Sequence, residues 1–218
     1  MAQDMDPSDS PIDEEEMRLI LWNCRRCRSH PAIRNLKSLL RFTSLIITFI
    51  LKTHSNMHQF TNTIRDLHVP SYNIVSAAGL SGGLWLFWDN IHSLHIISSS
   101  SNYIVAEIQL ATRLPVWNLV CFYREPAQRN RREFWEPFSS IVFNLTLPIL
   151  CFGDFNAISS QIEMYGCEPV TWNKTEYFNK ILSTCRLFDL GFHGAVFTWS
   201  NKQIPATHVH ERLDKGSW

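Results

Sequence analysis

Several features that are common in proteins are missing from this chain of 218 residues. No apolar run is long enough to span a bilayer, because the longest, Leu39–Leu51, is interrupted by Arg41 and by polar threonine and serine residues. The first 16 residues contain no basic residue, whereas a secretory signal begins with positive charge. No internal repeat or low-complexity segment is present. We therefore expect an intracellular protein, nuclear or cytoplasmic, that is neither secreted nor embedded in a membrane.

Charged residues are also scarce, at 18%, while apolar residues make up 45%. This balance excludes a disordered chain or a coiled coil and indicates a domain with a buried core. The 20 basic and 20 acidic residues are unevenly distributed, since residues 1–16 hold seven of the acids. The rest of the chain therefore has a net charge of +7. We predict an acidic disordered tail over residues 1–16 and one folded domain over residues 17–218.

Six cysteines in a chain without a signal peptide predict reduced thiols. Cys24 and Cys27 form a CxxC pair, to which His30 could add a third metal ligand. No second pair follows at the spacing of a zinc ribbon. A zinc site is therefore the less favoured interpretation of this motif.

The pattern of apolar residues predicts a strand-rich centre that helices flank and interrupt. Strands are expected over Arg18–Asn23, Ser44–Leu51, Tyr72–Ala77, Leu84–Asp89, Leu94–Ser98, Tyr103–Leu110, Val116–Tyr123, Pro148–Phe152, Val196–Ser200 and His210–Asp214. Helices are expected over 31–42, over 57–67 with Asn56 as N-cap, over 130–145 with a kink or break at Pro137, and after a capping box at Asn173–Glu176. The economical arrangement is an α/β (α+β) domain of two packed sheets with helices on their outer faces.

The segment Leu150–Asn156 is the most informative for chemistry. An apolar strand there delivers Asp154 and Asn156, two residues apart, to the same side of its end. An ionised aspartate could orient or deprotonate a water molecule, and an amide could hold a phosphate oxygen. The alternative is an ordinary turn at the end of a strand, since Gly, Asp and Asn all favour turns.

Seven short motifs follow one another in register along the chain. They are LWNCR (21–25), GLSGGL (79–84), CFYREP (121–126), FGDFN (152–156), FDLGF (188–192), FTWSN (197–201) and ERLD (211–214). In this order they resemble the endonuclease/exonuclease/phosphatase family, and most closely the endonuclease domain of plant LINE-type non-LTR retrotransposons. The resemblance implies the DNase I-like fold, a four-layer α/β/β/α sandwich. It also implies a hydrolase, dependent on Mg²⁺ or Mn²⁺, that cleaves phosphodiesters of DNA.

The resemblance implies a catalytic role for four residues. Asp154 would hold the attacking water, and Asn156 and Tyr123 would bind the phosphate. Asp214 would orient a histidine supplied by a later strand. Asn23 would lie near the phosphate and, together with Asp154, near the metal.

The resemblance further places two residues along the substrate groove, namely Trp199 and Arg25. Two other arginines replace residues that are usually glycine in relatives, at Arg26 and Arg124. Both substitutions could narrow the groove or add contacts to phosphate.

At the metal site the chain departs from the family pattern. Relatives hold magnesium with a glutamate at the end of the second strand, where this chain has Lys52. Opposite unit charges about 4 Å apart gain roughly 4 kcal/mol at an effective dielectric constant near 20, and a lysine turns this attraction into repulsion. The ammonium could instead neutralise a phosphate, which would keep binding but would not restore metal-assisted hydrolysis.

A second departure concerns the end of the family pattern, a strand with the triplet Ser-Asp-His. The 218 residues contain no such triplet. We therefore expect a C-terminally truncated domain that lacks its last strand. The sheet edge exposed in this way could promote self-association.

Together these features predict an endonuclease-type domain that is degenerate and weakly active or inactive. One alternative is a non-catalytic nucleic-acid-binding module, favoured by two basic stretches, Arg18–Arg41 without any acid and the cluster Arg129, Arg131 and Arg132. Another is a residual retroelement fragment without selected function. Other enzymes of this fold, such as inositol phosphatases and sphingomyelin-type phosphodiesterases, match the motifs less well.

Overall fold

A computed structural model describes most of the folded part of the chain. The described residues are 18–24, 27, 29–42, 46–77, 82–89, 93–109, 115–124, 131–166, 172–203 and 207–218. The predicted acidic tail, the groove residue Arg25 and the replaced glycine position Arg26 lie outside these residues.

Five strands in succession form the centre of the described residues, with strands and helices on both sides of it, as the apolar pattern predicts; the short strand β9 was not predicted. The strands are β1 (Arg18–Asn23), β2 (Ile46–Leu51), β3 (Ser71–Val75), β4 (Leu84–Trp88), β5 (Ser93–Ser99), β6 (Tyr103–Gln109), β7 (Pro115–Tyr123), β8 (Ile149–Asp154), β9 (Met164–Tyr165), β10 (Trp199–Ser200), β11 (His210–Glu211) and β12 (Asp214–Ser217). The helices are α1 (His30–Phe42), α2 (Met57–Leu67), α3 (Arg131–Asn144) and α4 (Trp172–Cys185). A short 3₁₀ turn, Gln161–Glu163, precedes β9.

The helices confirm one sequence prediction, correct a second and exclude one of the two outcomes expected at Pro137. Asn56 caps α2 through a capping box, in which its side chain accepts from the backbone N–H of Gln59 at 3.0 Å. The capping box predicted at Asn173 is wrong, because α4 begins one residue earlier, at Trp172. Pro137 lies inside a continuous α3, so it does not end the helix. Burial of Trp135 against the second sheet anchors the turn that the proline would otherwise weaken.

The described strands form three sheets. The first has the order β1-β2-β4-β3, with β1 and β2 parallel and β4 antiparallel to β2 and β3. The second has the order β12-β8-β7-β6-β5, with β7 and β8 parallel and the other pairs antiparallel. A small antiparallel sheet, β10-β11-β9, completes the set.

Three apolar clusters define the layers of the domain. One lies between the two large sheets and includes Phe49 and Phe152, whose rings are 5.6 Å apart. A second joins the outer face of the first sheet to α1 and α2, and the third joins the outer face of the second sheet to α3 and α4. Because side chains alternate along a strand, neighbours such as Phe49 and Ile50 serve different clusters. The predicted α/β/β/α sandwich is confirmed.

The strand predicted over His210–Asp214 is in fact two strands in different sheets. β11 belongs to the small sheet and β12 to the second large sheet. The two residues between these strands, Arg212 and Leu213, are buried. The chain therefore passes from one sheet to the other with both side chains packed inside the protein. At the other side of the sandwich, β1 is a half-exposed edge strand that, within the described residues, pairs with β2. None of the described helices is long and apolar enough to cross a bilayer.

Candidate functional site

Four predicted site residues, together with the lysine that replaces the expected metal ligand, lie at one end of the sandwich. Asn23 ends β1 and Lys52 directly follows β2, which runs parallel to β1. Tyr123 and Asp154 end the parallel strands β7 and β8 and are direct partners across the ladder. Asp214 opens the antiparallel strand β12 opposite Asp154. Partners across a ladder project to the same face, so the two sheets direct these side chains toward one another.

A glycine sets the position of Asp154. Gly153 is the ladder partner of Phe122, and a Cβ atom at Gly153 would overlap the carbonyl oxygen of Phe122. Only glycine therefore allows β8 to approach β7 this closely one residue before the aspartate.

Both oxygens of the Asp154 carboxylate accept hydrogen bonds from neighbouring donors. Lys52 places its Nζ 2.8 Å from Oδ2, and the Nδ2 of Asn23 donates to the same oxygen at 3.3 Å. The other oxygen, Oδ1, accepts the backbone N–H of Asn156 at 3.0 Å. The side chain of Asp154 is only 2% exposed and that of Lys52 15%. The residue that replaces the expected metal ligand thus forms an ion pair with the expected water-holding acid.

Lys52 reaches this position from an unusual backbone conformation. Its φ is +57°, a left-handed value that residues other than glycine and asparagine rarely adopt. The following residue, Thr53, donates its N–H to the carbonyl of Gly83 at 3.2 Å. Gly83 has φ +84°, and a Cβ there would overlap the hydroxyl of Thr53. The ammonium also lies 4.9 Å from the centroid of the Tyr123 ring, a cation–π contact.

The CxxC motif supports the same loop. Cys24 and Cys27 form a disulfide, with Cα atoms 5.9 Å apart, so the predicted reduced thiols and the zinc site are wrong for this pair. The backbone N–H of Cys24 donates to Leu51, and that of Cys27 donates to Thr53. These two bonds bring the cysteines together beside the residue that carries the ammonium.

Arg124 does not enter the groove, contrary to one expectation. It is buried, and its Nη1 donates to the backbone carbonyl of Asn156 at 2.7 Å. In return the Nδ2 of Asn156 donates to the backbone carbonyl of Arg124. Asn156 itself has φ +44°, which asparagine tolerates better than most residues. Arg124 therefore holds the turn that follows Asp154, and the amide nitrogen of Asn156 is used in that turn.

The residues at this site do not fit a divalent metal ion. Among the described residues, no three His, Cys, Asp or Glu side chains cluster where they could hold a metal. Mg²⁺ requires several oxygen ligands, yet Asp154 Oδ2 faces an ammonium and an amide nitrogen, both of which repel a cation. The Oδ1 atom of Asn23 is buried without a hydrogen-bond partner, and a single amide oxygen is not a metal site.

The predicted groove residue Trp199 lies beside Asn23. Both line a cavity of about 420 Å³ whose other lining residues are Phe197, Thr198, Ser200, Lys202 and His210. Sequence reasoning missed Lys202 and His210. The available signal was the alternation of His208 and His210, which puts both imidazoles on the same side of a strand.

A second group of charges is buried on the other side of β12 from Asp214. Arg212 donates to Glu163 at 2.6 Å and forms a two-pronged pair with Asp189 at 2.7 and 2.8 Å. Lys215 lies 2.7 Å from Glu163 and donates to the backbone carbonyl of Arg212. We call Glu163, Asp189, Arg212 and Lys215 the buried network.

Hydrogen bonds set the protonation of the acids in the buried network. Burial alone raises the pKa of Glu163, but donors from Lys215 and from Ser159 outweigh burial and lower the pKa below its ordinary value. Burial likewise raises the pKa of Asp189, and the hydrogen bonds from Arg212 and Gly191 reverse that effect, so its pKa is also lowered. Both acids are therefore ionised at neutral pH.

No protein-family model matches the chain, and no curated protein sequence matches it. Several solved structures are similar to it. The endonuclease domain of TRAS1, a telomere-specific non-LTR retrotransposon, has a TM-score of 0.66 at 16% identity and covers 93% of this chain and 84% of its own. The 3′ phosphatase NExo from Neisseria, bound to a product DNA hairpin, has a TM-score of 0.69 at 13% identity, covering 93% and 86%.

The AP endonuclease LMAP from Leishmania major has a TM-score of 0.71 at 11% identity and covers 92% of this chain and 78% of its own. At these identities the similarity establishes the fold. The chain has the DNase I-like fold, as the sequence motifs predicted.

Proposed function

We propose that this chain is an endonuclease-type domain of retrotransposon origin that acts on the phosphate backbone of DNA and has lost most or all of its hydrolytic activity. The fold supports a nuclease-type ancestry, and its structural neighbours include a retrotransposon endonuclease domain and a phosphatase bound to a DNA hairpin. An origin in a plant LINE element rests on the sequence motifs. The one observation that carries the loss of activity is the Lys52–Asp154 ion pair.

The ion pair opposes hydrolysis in two ways. A general base needs an oxygen lone pair directed at the water that it deprotonates, and both oxygens of Asp154 accept hydrogen bonds from the protein. Hydrolysis assisted by a metal ion also needs that ion beside the phosphate, where it stabilises the developing charge. The ammonium of Lys52 takes this position with a single positive charge and no bound water to supply.

The same ammonium supports DNA binding without cleavage, the second candidate function. A lysine ammonium has three N–H donors and acts on a phosphate as a point charge. Lys52 is partly exposed at the groove, so it can exchange the carboxylate of Asp154 for a phosphate oxygen. Arg34 on the exposed side of α1 adds positive charge, although Lys37 of the same helix pairs with Asp66 at 3.8 Å.

Two further expectations belong to this proposal. A protein that acts on DNA works where DNA is present, so we propose an intracellular location, nuclear or cytoplasmic. Self-association is supported by β1, since an apolar edge strand pairs readily with the strand of a second copy.

A plasmid assay with Mg²⁺ or Mn²⁺ tests the proposal through two readouts, nicking and retention of DNA. We expect little or no nicking by the native chain. Lys52→Glu alone should not restore it, because the added carboxylate supplies a metal ligand but no imidazole, and the sequence has no Ser-Asp-His triplet. Lys180→Glu, at an exposed lysine of α4, provides the same change of charge as a matched control.

Retention of the plasmid should weaken steeply between about 50 and 200 mM salt if phosphates are contacted. Clear nicking that Asp154→Ala abolishes would overturn the loss of activity. Retention that does not depend on salt would overturn binding through the phosphate backbone.

A further inference from the structure

The small sheet carries a row of aromatic rings on one face. Tyr165 of β9 and His210 of β11 are direct ladder partners, with ring centroids 6.3 Å apart. Phe197, just before β10, lies 5.6 Å from His210 and 6.5 Å from Tyr165. His208 extends the row, 4.2 Å from His210. We call Tyr165, Phe197, His208 and His210 the aromatic strip.

The rings of the aromatic strip are accessible to a ligand. Tyr165 is 66% exposed, and the other three residues are half-buried. The angles between neighbouring ring planes are 34° to 51°, so the rings are tilted relative to one another and no pair is packed edge to face. Apolar rings grouped at a surface in this way mark a binding site more often than isolated exposed residues do.

The aromatic strip is continuous with the site at Asp154. Phe197 and His210 line the same cavity as Asn23, whose amide contacts the Asp154 carboxylate. Lys202, an exposed residue, lines it as well and adds a positive charge beside the rings. A backbone phosphate held at the Asn23 end of this cavity would direct the attached base toward the rings.

We propose that the aromatic strip stacks the unpaired bases of single-stranded DNA whose phosphates bind at the Asn23 and Lys52 end of the groove. This inference rests on the proposed function, since it requires DNA to bind there. The ligand is a single strand because the bases of a duplex stack on each other, so their faces are not accessible to aromatic side chains. Aromatic side chains and cationic groups along one groove are the combination that binds single strands with little sequence preference.

Fluorescence anisotropy with two labelled oligonucleotides of equal charge tests the inference. One is a thymidine strand of about 12 nucleotides, and the other has the same number of phosphates but no bases. At about 50 mM salt the thymidine strand should bind at least about fivefold more tightly. Tyr165→Ala should weaken thymidine binding about fivefold or more and leave the abasic strand unaffected, while Tyr165→Phe should keep the native preference.

Tyr72→Ala is the matched control, because Tyr72 is also an exposed tyrosine, at 48%, but lies on β3 of the first sheet. Equal binding of the two strands by the native chain, or equal losses in Tyr165→Ala and Tyr72→Ala, would overturn the aromatic strip as a base-binding site. Such a result would leave the proposed function standing. Failure of the abasic strand to bind at low salt would instead overturn the proposed function.

Discussion

Two ion-paired regions lie close together in this molecule and differ in how completely their charges are satisfied. In the buried network, two bases and two acids have several partners each; the side chains of Arg212, Lys215 and Glu163 are at most 6% exposed and that of Asp189 is 23% exposed. At the groove, Lys52 has one acidic partner, its side chain is 15% exposed, and the neighbouring Asn23 Oδ1 has no hydrogen-bond partner.

This difference assigns a structural role to the buried network and a role in binding to the Lys52–Asp154 pair. A buried network whose donors and acceptors are all paired holds the segments that carry them in one arrangement. Moving one segment would leave a charged side chain unpaired and shielded from water. Arg212 in this way joins the turn before β9, the segment after α4 and the crossing from β11 to β12. At the groove, Lys52 has a strained, left-handed backbone, and Asp154 contacts Asn23, which lines a cavity, so a phosphate can replace one partner of the pair.

Breaking the buried network should have the largest effect on stability. Arg212→Met removes the cation between Glu163 and Asp189 and leaves a buried carboxylate short of partners. We expect a loss of about 3 to 5 kcal/mol in the free energy of unfolding, measured by urea denaturation. Arg65→Met, at an exposed arginine of α2, should change it by about 0.5 kcal/mol or less. Similar losses in both variants would refute the structural role of the network.

Acid should weaken the same network by a smaller amount. The pKa values of Glu163 and Asp189 are lower in the folded protein than in the unfolded chain, where they are about 4. The two acids therefore stabilise the fold fully above the unfolded pKa, and this contribution is lost as the pH falls through the lower folded pKa values. The melting temperature should therefore drop increasingly below about pH 5. Glu163→Gln should lower the melting temperature at neutral pH and flatten its acid dependence; an unchanged slope would contradict this assignment.

The ends of the strands could be predicted from sequence, and their partners across the sandwich could not. Apolar runs located β1, β2, β7 and β8, and parallel neighbours end at the same side of a sheet, which places Asn23 near the end of β2 and Tyr123 beside Asp154. Only the resemblance placed Asn23 near Asp154. The resemblance identified Lys52 as a departure. The contact of its ammonium with Asp154 depends on packing between sheets, 102 residues apart in the chain, and on a left-handed backbone that no local pattern predicts.

The buried network was missed for a related reason. Its central residue, Arg212, lies in the motif that drew attention to Asp214, and its acidic partners lie 23 and 49 residues away. A continuous strand over His210–Asp214 would also turn Arg212 and Asp214 to the same face, which hides the crossing between sheets. The disulfide was missed because the expectation for the cysteines came from composition, whereas the loop after β2 brings Cys24 and Cys27 together.

The smallest effect on stability, and the sharpest test of the comparison, is expected for Asp154→Asn. The amide keeps the shape of the side chain, and its oxygen can still accept from Lys52, but its NH2 group then faces the backbone N–H of Asn156, which loses its acceptor. Removal of the negative charge directly opposite Asp214 offsets part of this loss. The free energy of unfolding should fall by about 1 kcal/mol. Affinity for a labelled DNA duplex at low salt should rise about fivefold or more, because Lys52 no longer shares its charge with a carboxylate.

Asp189→Asn makes the same chemical change inside the buried network and is the control for Asp154→Asn. It should cost about 1 to 3 kcal/mol, because Arg212 loses a charged partner, and it should leave DNA affinity unchanged. Adding Lys52→Met to Asp154→Asn should abolish the gain in affinity, since the gain depends on the ammonium. If the two asparagine variants lose equal stability and neither binds DNA more tightly, the Lys52–Asp154 pair is as structural as the buried network.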